Sequence, residues 1–129
     1  MTEEMSLIKV SSGLLSALHA GGLNINVFAQ EIKVLDCIVA GTSFRKLDEV
    51  KEQLLQKVRL EMKREANNEF DKYAIALWYE NTKVGYIPRD RNEVIARLMD
   101  AGKQFYATIE AKEMEGNWLK LEVVVMMKD

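Results

Sequence analysis

A mostly β domain with short helices is what this chain predicts: a compact α+β arrangement of six strands in a strongly curved antiparallel sheet or partly open barrel. Three observations carry that expectation. Apolar and polar residues alternate over residues 58–63 and 119–122, the period of a half-buried strand. Two turn-forming clusters, Glu80-Asn81-Thr82 and Glu115-Gly116-Asn117, join strand-like runs into hairpins. At 129 residues, 48% hydrophobic and 29% charged, the chain is the size of one domain with one sizeable core.

The elements follow in order. Leu7, Ile8, Leu14, Leu15 and Leu18 keep a helical period over residues 5–20, and Gly21-Gly22 supplies a stop. Residues 1–30 are therefore set apart as an N-terminal helical extension and residues 31–129 as the β domain. Residues 32–41 are a largely apolar run interrupted at Asp36, which reads as a buried strand ending near Phe44 and Arg45. Leu47, Val50, Leu54 and Leu55 predict a short helix over 47–56. Val58, Leu60 and Met62 alternate with charged residues as a half-buried strand. Residues 74–79 and 83–87 form a hairpin, and Pro88 ends its second strand because proline cannot donate to a ladder. Asp90, with Glu93 three residues on, reads as a helix N-cap. Val94, Ile95, Leu98 and Met99 are that helix's buried stripe, and Gly102 ends it. Phe105, Ala107, Ile109 and Ala111, then Leu119, Leu121, Val123, Val125 and Met127, supply the core-facing sides of the last two strands.

Composition excludes more than it assigns. One cysteine, Cys37, forbids an intramolecular disulfide, and its apolar setting reads as a buried structural thiol. One histidine, His19, has no carboxylate neighbour in sequence, so a Ser–His–Asp arrangement has little to build on. No phosphate-binding glycine loop occurs, and Glu69 with Asp71 is too small a set to specify a metal site. The expectation is a non-enzymatic protein with no cofactor and no metal. No apolar run has the length of a membrane span, and the start carries Glu3 and Glu4 in place of a basic stretch and apolar core. A reducing cytoplasm is the default compartment. The net charge of −2 does not advertise a nucleic-acid binder. Residues 45–97 hold 12 Lys and Arg against 10 Asp and Glu, and the remainder 6 against 10, an asymmetry too small to argue from alone.

The densest chemistry lies in Arg64-Glu65-Ala66-Asn67-Asn68-Glu69-Phe70-Asp71-Lys72-Tyr73-Ala74-Ile75-Ala76. Asn and Asp form turns by bonding nearby backbone, yet a plain turn rarely needs so many of them, with Phe70 held between them. About ten residues on comes Val84-Gly85-Tyr86-Ile87-Pro88-Arg89. Aromatics are interleaved with cations at Phe44 and Arg45, at Phe70 and Lys72, and at Tyr86 and Arg89, as in sheets that stack bases and follow phosphates. Taken singly, each has a plainer role: Phe44 and Phe70 as core, the arginines as a solvated rim, Asp71 as a turn or cap.

The two segments, N-N-x-[FY]-D-x-x-A-I followed by V-G-[YH]-[IL], resemble the HIRAN domain, a module found at the N-terminus of some eukaryotic DNA-damage-tolerance ATPases and alone in bacterial proteins. The resemblance covers roughly residues 35–112. It implies a modified oligonucleotide-binding-type β-barrel that captures the 3′ end of single-stranded DNA without catalysis. It implies that Asp71 reads the terminal hydroxyl, that Asn68 supports it, and that Phe70 is the motif aromatic. Tyr86 stands where the best-studied members carry histidine, and Arg89 corresponds to a basic residue that would meet phosphate. Arg45 and Lys72 are further cations in reach of phosphates, and Phe44 is a further stacking platform. An ATPase, helicase or nuclease partner would suit such a module, and the N-terminal leucine stripe would suit a homo-oligomer. The other class of function is a protein-interaction module whose pocket is vestigial or takes a small polar ligand.

Overall fold

The computed structural model describes residues 30–128. The helix expected over 5–20 lies outside the described residues. Six strands follow: β1 (Glu31–Ile38), β2 (Arg59–Arg64), β3 (Ile75–Tyr79), β4 (Thr82–Tyr86), β5 (Gln104–Glu115) and β6 (Trp118–Lys128). One α-helix, α1 (Glu93–Asp100), lies between β4 and β5, and short 3-10 turns occupy Thr42–Phe44, Lys51–Gln53 and Arg89–Arg91.

The strands make one antiparallel sheet in the order β1-β6-β5-β2-β3-β4. The alternation read from sequence sets its faces. Leu60 and Met62 of β2, Phe105, Ala107 and Ile109 of β5, and Leu119, Leu121, Val123 and Val125 of β6 are all buried. A register shift between Ile109 and Ala111 ends that pattern in β5, so Ala111 is exposed although the period assigned it to the core. Gly116, at φ 63°, with Asn117 makes the expected tight turn between β5 and β6.

The sheet does not close into the barrel that was expected; β1 and β4 remain its edges. The chain just past β1 nevertheless reaches β4 at one bridge. Ala40 N–H donates to Tyr86 O and Tyr86 N–H to Ala40 O, both at 2.8 Å. A single residue pair is not a ladder, so the two edges are pinned at one point. Gly85 makes the pin feasible: a Cβ there would stand 2.5 Å from Ala40 O and 2.6 Å from Val39 Cγ1.

Four further expectations are corrected. Among the described residues β1 is an edge strand bonded only to β6 and largely exposed, so its apolar run does not mark a doubly buried strand, and the strand ends at Ile38, well before Phe44. Cys37 is half-buried in it, where burial pushes the thiol up to about 11, a protonated and unreactive group at neutral pH. Residues 47–56 form turns around Lys51–Gln53 in place of a helix. Leu47 and Leu54 are both anchored in the core, and Lys57, at φ 75°, hands its N–H to Ile109 O of β5 at 2.7 Å, so tertiary bonding overrides the helical period. The residue that starts α1 is Asn92, not Asp90, and its side chain makes no cap bond. Within α1, Ile95 and Ala96 are buried while Val94 is 68% exposed, a narrower stripe than the periodicity implied.

Candidate nucleic-acid interface

The polar loop between β2 and β3 is built by its own side chains. Asn68 Oδ1 accepts from Phe70 N–H (2.8 Å) and Asp71 N–H (3.0 Å), and Asn68 Nδ2 donates to Glu65 Oε1 (3.0 Å). Asp71 Oδ1 accepts from Tyr73 N–H at 2.9 Å. These are the local side-chain-to-backbone bonds that Asn and Asp make in turns. Because they consume the loop's polar groups inward, Phe70 is turned out and is 83% exposed.

Arg64 holds the loop to the body of the domain. Its guanidinium donates to both carboxylate oxygens of Asp100 at 3.0 and 3.1 Å, to Ala74 O at 2.9 Å and to Lys72 O at 3.0 Å. The planar fork meets a carboxylate and two carbonyls at once, which a lysine could not do. Arg64 is thus spent on structure, not held in reserve for phosphate.

Asp71 has a second partner that sequence reasoning missed. Asn92, 1% exposed at the start of α1, donates Nδ2 to Asp71 Oδ2 at 2.8 Å. This is why Asn92 does not cap its own helix. The signal was an asparagine directly before the apolar period, read past in favour of Asp90. Two neutral donors orient the carboxylate without neutralising it. A carboxylate has about four lone-pair sites, so acceptor capacity remains.

Asn68, Phe70, Asp71, Lys72, Tyr73, Arg89 and Asn92 surround one open recess, with Glu69 and Glu93 also on its rim. Five of the residues singled out in the sequence therefore meet: Asn68, Phe70, Asp71, Lys72 and Arg89. Lys72 Nζ stands 5.2 Å from the Tyr73 ring centroid, and Arg89 opens the 3-10 turn after Pro88.

Phe44, Arg45 and Tyr86 lie elsewhere. Phe44 ends the 3-10 turn that buried Thr42 anchors by donating Oγ1–H to Leu119 O at 2.6 Å, and it is 85% exposed. Arg45 follows it, bordering a separate recess with Leu47, Asp48 and Lys51. Neither phenylalanine is a core residue. Tyr86 donates its hydroxyl to Glu65 Oε1 at 2.8 Å and accepts from Lys83 Nζ at 3.0 Å, while Lys83 also meets Glu65 Oε2 at 2.6 Å. The tyrosine's polar end is committed to this cluster at the base of the loop.

Burial pushes the Glu65 carboxyl up, but donors from Lys83, Asn68 and Tyr86 outweigh it and hold the group below the usual carboxylate range. The Lys83 ammonium is raised, first by its hydrogen bond to Glu65 and next by that to Tyr86. A depressed carboxyl stabilises the fold fully above its unfolded value, about 4.3, and loses that contribution as pH falls through the folded value. Glu65→Gln should therefore flatten the decline of stability below about pH 5 relative to the unaltered protein, followed by urea melts at a series of pH values. An unchanged acid limb would show that other carboxylates set it.

Among the described residues, a six-stranded antiparallel sheet with one short helix, carrying a polar loop that orients a carboxylate and turns Phe70 outward, is the architecture of a small β module. The HIRAN domain family model matches residues 32–128, and the chain belongs to that family, whose domains are DNA-binding modules. Two crystal structures share the fold. A protein from Lactobacillus plantarum is 23% identical with a TM-score of 0.71, over 78% of this chain and 98% of that one. The HIRAN domain of human HLTF is 18% identical with a TM-score of 0.63, over 78% of each chain. No curated protein sequence matches. Among the described residues no helix is long and apolar enough to cross a membrane, and no three His, Cys, Asp or Glu side chains cluster so as to hold a metal ion.

Proposed function

We propose that this domain binds single-stranded DNA without catalysis and prefers a free 3′-hydroxyl end. The observation that carries the reading is Asp71: a carboxylate oriented by Tyr73 N–H and Asn92, with acceptor capacity left over, in a recess shared with an outward-turned aromatic and two cations. A carboxylate accepts a hydrogen bond from a terminal hydroxyl and repels a terminal phosphate or a continuing chain. Phe70 would offer a stacking face for a terminal base, and Lys72 and Arg89, on the rim of the same recess, would meet the preceding phosphates. Phe44, exposed beyond the bridge to β4, and the half-buried Arg45 beside it would meet the strand outside the recess, and Tyr86 acts by supporting the loop through Glu65. Fluorescence anisotropy with short oligonucleotides ending in a 3′-hydroxyl or a 3′-phosphate tests it. The hydroxyl end should bind more tightly. Equal binding removes the end preference, and no binding at low salt favours the protein-interaction class.

Phe70→Ala should weaken oligonucleotide binding by about 1–3 kcal/mol across base sequences, since every base has a stacking face. At 83% exposure the ring contributes little to the core, so the melting midpoint should hold. A variant that keeps full affinity would show that Phe70 does not stack. Phe44→Ala should behave the same way with a smaller loss, because Phe44 stands outside the recess.

A further inference from the structure

A second recess lies at the far end of α1 from the first. Arg59 of β2, Tyr106 of β5, Lys128 of β6 and Lys103, just before β5, surround it together with Glu61. Sheet register explains the grouping. Glu61 stands opposite Tyr106 and Gln104 opposite Lys128, and side chains two apart on a strand share a face, so Arg59, Glu61, Tyr106 and Lys128 project to one side. The Arg59 guanidinium carbon is 3.7 Å from the Tyr106 ring centroid and Lys128 Nζ is 5.8 Å from it.

These cations lack the carboxylate partner that half of the other Lys and Arg among the described residues have. Lys33, Lys51, Lys63, Lys83, Lys120, Arg64 and Arg97 each lie within ion-pair distance of a carboxylate. Among the described residues, Arg59, Lys103 and Lys128 do not. The nearby acids are otherwise engaged: Glu61 lies 3.9 Å from Lys63, and Glu31 accepts the Tyr106 hydroxyl.

Helix α1 ties the two recesses together. Asn92 and Glu93, at its start, border the first; Met99 near its end and Lys103 just past it border the second. Eight residues of helix span about 12 Å at ~1.5 Å per residue. A stacked strand advances ~3.4 Å per nucleotide, so about four nucleotides cover that length. Between the recesses Arg97 donates to the Tyr73 hydroxyl at 2.8 Å, and both acids of the helix are paired with cations, Glu93 with Arg97 and Asp100 with Arg64, each at 3.0 Å. We propose that the Arg59–Lys103–Lys128 recess holds phosphates of the same DNA strand, about four nucleotides 5′ of the terminus held at Asp71; the proposal rests on the end-binding reading. Long flexible cations with no buried polar side chain among them suit a polyanion better than one small anion. A strand already anchored at its end brings those phosphates in at high effective concentration.

The test is anisotropy on the full chain with 5′-labelled oligodeoxythymidylates of increasing length, each with a 3′-hydroxyl or a 3′-phosphate, at several salt concentrations. Affinity should climb once the strand exceeds about four nucleotides. In Arg59→Gln/Lys103→Gln/Lys128→Gln that climb should vanish, and for long strands the slope of log affinity against log salt should become shallower by about 2, at ~0.7 per single-strand phosphate. Preference for the hydroxyl end should be unaltered. Lys103→Glu alone, an exposed loop change, should give part of the loss and guards against misfolding of the triple variant. A triple variant that keeps both the length dependence and the slope overturns the proposal. If the original protein shows length dependence without end preference, the end-binding reading fails while the second contact stands. End preference with no length dependence does the opposite.

Discussion

Gly85→Ala is expected to destabilise the domain by about 1–3 kcal/mol or more, lowering its urea midpoint by roughly 1 M. The reason is a close approach of backbone to backbone. The new Cβ would sit 2.5 Å from Ala40 O, which cannot swing aside as a side chain can, and 2.6 Å from Val39 Cγ1. Relief requires the segment after β1 to lift from β4, which sacrifices the paired 2.8 Å bonds between Ala40 and Tyr86. Each such bond is worth about 0.5–1.5 kcal/mol net. The same segment leads into the turn carrying Phe44, so the variant should also lose part of its DNA affinity. Unchanged stability would mean that the pin between the sheet edges contributes nothing.

That constraint gives physical content to the V-G pair which, with the Asn-Asn-Glu-Phe-Asp run, made the family legible from sequence. The glycine is a packing requirement, and Val84 beside it is buried in the core. The strands on either side of the core were legible because their two-residue period is set by burial on one face alone, as in β2 and β6. Edge strand β1 was legible in position but not in burial: an apolar run does not say whether a second neighbour exists. The helix read over 47–56 failed because Leu47 and Leu54 satisfy a helical period and a turn-rich path equally well, and the long-range bond from Lys57 to β5 decides between them.

The site was legible by residue type and only partly by placement. Asn68, Phe70, Asp71, Lys72 and Arg89 meet in one recess because a single loop and the turn after Pro88 supply them. Tyr86 and Arg64 carry the right chemistry for DNA, yet their polar groups are bound inward, to Glu65 and Lys83 and to Asp100 and two carbonyls. Asn92 could not be assigned to Asp71 from sequence, since 21 residues separate them and only the return of the chain through β3 and β4 brings them to 2.8 Å.

Asp71→Asn is expected to abolish discrimination between 3′-hydroxyl and 3′-phosphate ends while leaving the fold intact. Two bonds constrain Asp71: Oδ1 accepts from Tyr73 N–H and Oδ2 from Asn92. In the asparagine variant Oδ1 can be kept by the side-chain oxygen. The new amide then faces the amide of Asn92, which can rotate to present its oxygen, so both contacts persist and stability should fall by no more than about 1 kcal/mol. Asp71→Ala is the poorer test, because it strands buried Asn92 without a partner at a cost of about 1–3 kcal/mol. What asparagine does remove is the charge. Two unit charges 4 Å apart repel by about 1 kcal/mol in water and about 4 kcal/mol at the effective dielectric of a protein surface, and a terminal phosphate carries roughly −1.5 to −2. The phosphate end should therefore gain roughly tenfold or more in affinity, and the hydroxyl end should lose severalfold as the charge-assisted bond becomes a neutral one. Matched titrations of the two ends against both proteins read the ratio directly. A ratio that does not move on Asp71→Asn would reduce Asp71 to a turn residue and place the reading of the terminus elsewhere in the recess.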